Sequence, residues 1–393
     1  MAVQAKYARW FIIILAVLIA VNLMSCGSKN KKPTVVKPPV VKVEPPDLYT
    51  YGGMMLLEKG QYGDADREFA WALTKNPKNA QAAIGRSLAQ IYQGNYDEAL
   101  DYLKSGCKYA KQNEEKVFCQ VARIRIYTQD KRDKRWFLKA KEAFDAAVKL
   151  DPQSSDAYYY MGFAFRDSLN FDEAGKMFRE VIAINDRHVK EAEVQADRIQ
   201  KIQRAMASTK TGRKIALVDR ITRADCAAII IEEIKLEKIL SRQDSNAAAV
   251  TNKAKDKKAE KAKAAAKDIA EHPFKVHIEE VLKLGIKGLG KYPDGSFRPE
   301  EGVNRAAYAV IMEDILEKLT GNTELKKTFQ GTSSPFPDVK ADYPYYEAVM
   351  VVTSRGIMEK KNPNADEFAP LVPMSGADAL LIARKLKEDL KID

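Results

Sequence analysis

Histidine is scarce in this chain: only His188, His272 and His277 occur among 393 residues, and that shortage excludes most metal-assisted chemistry. His272 and His277 are five apart with Pro273 between them, so they cannot share one helix face as a ligand pair. There is no His-Glu-x-x-His, no paired-cysteine spacing and no Gly-x-Ser-x-Gly elbow. Gly285, Gly288 and Gly290 have no Lys-Ser or Lys-Thr behind them, so they do not form a phosphate cradle. Asp294-Gly295 lacks the alternating carboxylates and closing glutamate of a calcium loop. Long apolar runs are missing too. The longest, Trp10 to Val21, falls short of the roughly 20 residues that span a bilayer core. The expectation is a protein that is not an enzyme and uses no metal and no cofactor.

The first residues point to export. Lys6 and Arg9 precede the apolar run, which ends in Leu23-Met24-Ser25-Cys26. That tetrapeptide resembles a bacterial lipobox, which implies a signal peptide over 1–25 and a diacylglycerol on Cys26, the first mature residue. An ordinary signal peptide or a permanent span are the competing readings. Gly27, where an aspartate would imply inner-membrane retention, directs the expectation to an outer membrane facing the periplasm; a Gram-positive membrane stays open. Removing 1–25, which holds two cations and no acid, lowers the formal charge of +11 to +9. In the cytosol such an excess would suggest nucleic acid; after export the partners are wall polymers, lipopolysaccharide or phospholipid headgroups, and no nucleic acid is expected.

Residues 27–46 hold five prolines and five lysines, and 26–46 reads as a lipidated cysteine with an extended tether reaching on the order of 60 Å. A repeat follows. Tyr49, Gly53, Gly60, Tyr62, Ala65, Phe69, Ala72 and Pro77 open a pattern in which Ala65 and Ala99, Ala140 and Ala174, Phe144 and Phe178, and Gly60 and Gly94 are each 34 apart. This resembles the tetratricopeptide repeat, a helix-turn-helix whose small residues let helices cross closely. Four units over 47–186, with seven extra residues between the second and third, predict a curved solenoid whose concave face holds a protein or peptide. A polar helical stretch, 187–214, caps it. Cys107 and Cys119 fall at the end of one helix and the start of the next, where an oxidising compartment would let them pair; Cys226 sits on an apolar helix face.

A second repeat occupies 215–393. Pro273 and Pro344, Gly285 and Gly356, Phe297 and Phe368, Pro299 and Pro370, and Ala306 and Ala377 are each 71 apart. With "Phe-Pro-Asp-Val" at 336–339, "Asp-Gly-Ser-Phe-Arg-Pro" at 294–299 and helix starts at 221–225 and 303–307, this part resembles the S-layer homology domain. Three units, about 215–240, 268–320 and 335–390, would form a helical pseudo-trimer, interrupted by an Ala/Lys-rich insertion over 241–267. The whole fold is then all-α. The resemblance implies a cell-wall glycan partner and assigns to it Arg223 and Arg305, whose guanidinium forks suit a carboxylate, and Asp338, which matches the family's aspartate. Gly376 stands where the third arginine belongs. A structural salt bridge for the arginines, a turn or cap for Asp338, and N-caps for Thr222, Asn304 and Ser375 are the plainer alternatives. Lys291 and Arg298 could add attraction for a polyanion.

Two functions follow. One is an envelope anchor: the lipid in a membrane, the last module on wall polymer, the solenoid on a protein. The other is a periplasmic assembly or chaperone-like adaptor whose last module is only structural.

Overall fold

The computed structural model describes residues 45–242 and 266–392. The signal peptide, Cys26, most of the tether and most of the Ala/Lys-rich insertion lie outside the described residues. The fold is all-α: no strand occurs among the described residues, only isolated bridges.

Four helical hairpins come first: α1 (Pro45–Glu58) with α2 (Tyr62–Lys75), α3 (Ala80–Tyr92) with α4 (Tyr96–Tyr109), α5 (Asn113–Gln129) with α6 (Trp136–Leu150), and α7 (Ser155–Asp167) with α8 (Phe171–Ile184). Glycine makes the crossings. A β-carbon on Gly53 would lie 2.6 Å, and one on Gly85 2.4 Å, from the Phe69 ring, which fills the space that both leave; Gly162 stands in the same relation to Phe178. Asn79 and Ser154 accept the N–H of Ala82 and Ala157 and so start α3 and α7. The turns inside the first two hairpins use Gly60 and Gly94 at positive φ, whereas the fourth places Leu169 there at φ 65°. The extra residues fall inside the third hairpin and not between the second and third units: α5 is 17 residues long against 13 for α3, and the turn 130–135 is longer.

The stretch that caps the solenoid is two helices, α9 (Val189–Ala205) and α10 (Lys210–Ile215). Beyond it lie α11 (Arg223–Ala228), continued by a π-helical turn, Ile229–Ile234; then α12 (Lys275–Leu284), α13 (Arg305–Thr320), α14 (Tyr346–Ser354) and α15 (Gly376–Asp389). Thr222, Asn304 and Ser375 each cap their helix, accepting from Asp225, Ala307 and Asp378.

Three backbone hydrogen bonds close the last module into a ring. Ile221 N donates to Met374 O, Met374 N to Val303 O, and Val303 N to Ile221 O, each at 2.9 Å. The residue just before each cap therefore binds its two counterparts, which is the signature of a pseudo-threefold axis. One continuous apolar core runs from Ala174 and Phe178 of α8, through Ile199 and Ile202 of α9, to Leu380 and Leu386 of α15. The solenoid and this last module, a three-unit prong, thus share a core.

Candidate binding surfaces

The concave side of the solenoid encloses about 1330 Å³, lined mainly by the first helix of each hairpin and the start of α9. Arg125 on α5 occupies its floor. Its Nε donates to the Tyr92 hydroxyl at 3.1 Å, and its guanidinium lies 4.3 Å from the centroid of Tyr160 and 5.3 Å from that of Tyr92. Burial pushes the Tyr160 hydroxyl up to about 12, against the opposing charge of Arg125. Beside it, His188 stacks on Tyr159 at 4.3 Å, and its Nε2 lies 2.9 Å from Asp156. Burial alone would raise the Asp156 carboxyl; the hydrogen bond from His188 and the charges of Arg187 and Arg125 outweigh it, and the pKa falls below its ordinary value. Arg187 also donates to Glu58 of α1 at 2.7 Å, joining the first helix of the solenoid to the turn that leaves its last.

Of these groove residues the sequence drew attention only to His188, as one of three histidines, because helical periodicity reports burial and not which side of a solenoid a residue faces. Cys107 and Cys119 are bonded as a disulfide between α4 and α5, with Cα atoms 5.5 Å apart. Cys226 is a buried free thiol whose pKa burial raises strongly.

In the prong, Arg223 and Arg305 are almost fully buried. Arg223 donates through Nε to Phe297 O at 2.8 Å, through Nη1 to Gly288 O at 2.6 Å and through Nη2 to Gly290 O at 2.7 Å. Arg305 repeats this one unit on, with Nε to Phe368 O at 2.8 Å and Nη2 to Glu359 O at 2.6 Å. Each therefore clamps the loop of the following unit. Burial lowers the Arg305 pKa below its ordinary value, opposed by the charges of Asp378 and Asp338. Asp338 accepts the N–H groups of Phe368 and Ala369 at 3.0 and 2.7 Å. Asp268 does the same for Phe297 and Arg298 at 2.8 and 2.7 Å. Asp268 escaped the sequence comparison because it precedes Asp338 by 70 residues, one short of the repeat.

The third interface is built differently. Gly376 N donates to Val218 O at 2.8 Å, and a β-carbon on Gly376 would meet Ile215 O at 1.7 Å. The loop after α10 fills the place of the missing arginine. Arg198 of α9 supplies the clamp instead, donating to Leu217 O at 2.6 Å and pairing with Asp219 at 2.7 Å. At the first interface the exposed Arg298 lies 3.9 Å over the ring of Tyr292 and pairs with Asp294 at 3.4 Å and Glu301 at 4.0 Å; Arg223 lies 5.0 Å from the same ring, and the Tyr292 hydroxyl donates to Glu301 at 2.8 Å.

Among the described residues no helix is long and apolar enough to cross a membrane, and no group of side chains is arranged to hold a metal ion.

Two family models match parts of the chain. Residues 53–113 match the tetratricopeptide repeat model, and 267–309 and 335–380 match that of the S-layer homology domain. A protein CTR9 homolog of Arabidopsis thaliana is 25% identical over 128 residues, which are 31% of this chain and 11% of that protein. The chain therefore spans about a tenth of that relative's length. A thermophilic TPR protein of Thermus thermophilus is 17% identical, with a TM-score of 0.35 over 52% of this chain and 98% of its own.

Proposed function

We propose that this chain, which carries tetratricopeptide repeats and S-layer homology domains, is a non-catalytic adaptor of the cell envelope, lipidated at Cys26 and held in a membrane, the outer one facing the periplasm. Its solenoid recruits a protein, and its prong holds peptidoglycan or an anionic polymer linked to it. The observation that carries this reading is the shared core. Two interaction modules that share a core through α9 lie in one compact unit, which supports a fixed placing of a groove partner relative to the wall. Lipid and prong acting together multiply two modest attachments into firm retention when the tether spans the gap.

At the wall-binding surface, Arg223, Arg305 and Asp338 shape the loops, and Arg298, exposed over Tyr292, offers an anionic sugar a cation in exchange for its pairing with Asp294 and Glu301. A second reading, the assembly adaptor with a purely structural prong, is favoured by the same arginines. Their donors go to backbone carbonyls, and the third groove is filled by the chain itself.

Cosedimentation of residues 27–393 with purified sacculi across a salt series separates the two, run beside Tyr292→Ala with Arg298→Ala. Saturable binding that the double variant loses supports the anchor. Absence of binding by the parent protein leaves the adaptor.

A further inference from the structure

The charge inside the solenoid opposes that of the rest of the molecule. The chain as a whole carries a formal charge of +11. Yet the groove is lined by eight carboxylates, among them Glu58, Glu114, Asp156, Asp186 and Glu191, against three arginines, and by no lysine among the described residues. Some carboxylates are spent internally: Glu58 and Asp156 share Arg187, and Asp167 pairs with Lys131 at 2.7 Å. Glu114, Asp186 and Glu191 have no such partner among the described residues and are exposed at the groove. The floor between the carboxylates is aromatic, with Tyr62, Tyr92, Tyr159, Tyr160 and Phe163. It already accommodates cations: Arg125 lies between Tyr92 and Tyr160, and Arg166 lies 4.7 Å over Phe163.

We propose that the groove binds an extended, lysine- or arginine-rich segment of a partner protein. The aliphatic stems lie along the aromatic floor beside Arg125 and His188, and the charged ends reach Glu114 of α5, Asp186 of the turn into α9 and Glu191 of α9. Walls on which one sign of charge predominates, here eight carboxylates to three arginines, concentrate the opposite sign, which speeds encounter and makes binding fall with salt. A partner rich in acid is repelled by the same field, so the groove selects against the anionic polymers that the basic exterior attracts. The two faces of the molecule thus take opposite classes of ligand. This rests on the solenoid being the module that recruits a protein; wall cosedimentation reports only the prong, so the two readings fail separately.

The test is fluorescence anisotropy of the full-length chain, kept in non-ionic detergent, with two end-blocked peptides of about twelve residues, enough to run the length of a groove at about 3.3 Å per residue. One alternates lysine with valine and proline; in the other, glutamate replaces every lysine. The lysine peptide is expected to bind saturably and to weaken at least about tenfold between low and physiological salt, while the glutamate peptide does not bind. Glu114→Lys, Asp186→Lys and Glu191→Lys together should lower lysine-peptide affinity by about tenfold or more. Asp101→Lys, Glu142→Lys and Glu180→Lys, the same charge change on the outer helices α4, α6 and α8, should leave it unaltered. Equal or tighter binding of the glutamate peptide overturns the charge assignment. Binding of neither peptide, or equal loss in both triple variants, overturns the site.

Discussion

Gly376 and Ile215 are packed so closely that a β-carbon on the glycine would stand 1.7 Å from the isoleucine carbonyl oxygen. The contact seats the helix start of the third prong unit on the segment leaving the solenoid. Because the obstacle is backbone, it cannot be relieved by a rotamer change. Gly376→Ala should cost about 3 kcal/mol or more, at the upper end of overpacking penalties, and Gly376→Arg, which restores the repeat's own residue, should cost more still. Urea denaturation checks both. A variant within about 0.5 kcal/mol of the parent would mean that the third interface opens freely.

Arg305 binds Phe368 O and Glu359 O from a buried position, and its planar fork is what lets one side chain reach both. Lysine retains the charge and loses the fork. Arg305→Lys should therefore destabilise the chain by about 2–4 kcal/mol, the value of one to two hydrogen bonds from a charged donor. Wall binding of the variant, measured well below its melting temperature, should be unchanged if the residue acts only by holding the loop. Loss of binding with unaltered stability would make Arg305 a direct glycan contact.

How much of this was legible in the sequence depended on whether a feature repeats. The 34-residue spacings located the four hairpins, because each unit must bury a small residue where its helices cross, as the fully buried Ala65 and Ala99, and Ala140 and Ala174, do. The 71-residue spacings located the second and third prong units for the same reason. What broke the period stayed hidden. Asp268 is one residue out of register with Asp338, and the Arg198 clamp comes from α9, the helix that caps the solenoid, and not from the prong repeat. The role of Arg223 and Arg305 also lay beyond the sequence. A helix-start arginine looks alike whether its fork meets a ligand or a neighbouring loop, and only the distances to Phe297 O and Phe368 O distinguish them.

The bond between Cys107 and Cys119 closes a loop with a sequence separation of 12, which by chain entropy stabilises the folded solenoid by about 3 kcal/mol. It joins α4 to α5, the only contact of its kind among the described residues between consecutive hairpins. Reduction with a thiol, or Cys107→Ala with Cys119→Ala, should lower the melting temperature by several degrees, by about that free energy. Cys226 should react with a thiol reagent only after unfolding, being buried with its thiol pKa raised. Rapid labelling of Cys226 in the folded protein would contradict its burial.

Glu233 joins the end of the solenoid to the prong. It accepts the N–H groups of Ser208 and Thr209, both at 2.9 Å, and their hydroxyls at 2.9 and 2.7 Å. Burial would raise its pKa, but the four hydrogen bonds to the ionised form outweigh that and bring it below the ordinary 4.5. A depressed carboxylate stabilises the fold above its unfolded pKa and loses that contribution as pH falls through the folded value. Glu233→Gln should therefore be less stable than the parent at neutral pH, by about 1–3 kcal/mol for donors left without their charged acceptor. The gap should narrow as pH drops below 4.5, where the unfolded carboxylate takes up a proton, and close once pH falls through the lower folded value. Urea midpoints of both proteins at neutral pH and below the carboxylate range measure it. A gap that stays constant across that range would mean that Glu233 holds the junction by its shape and not by its charge.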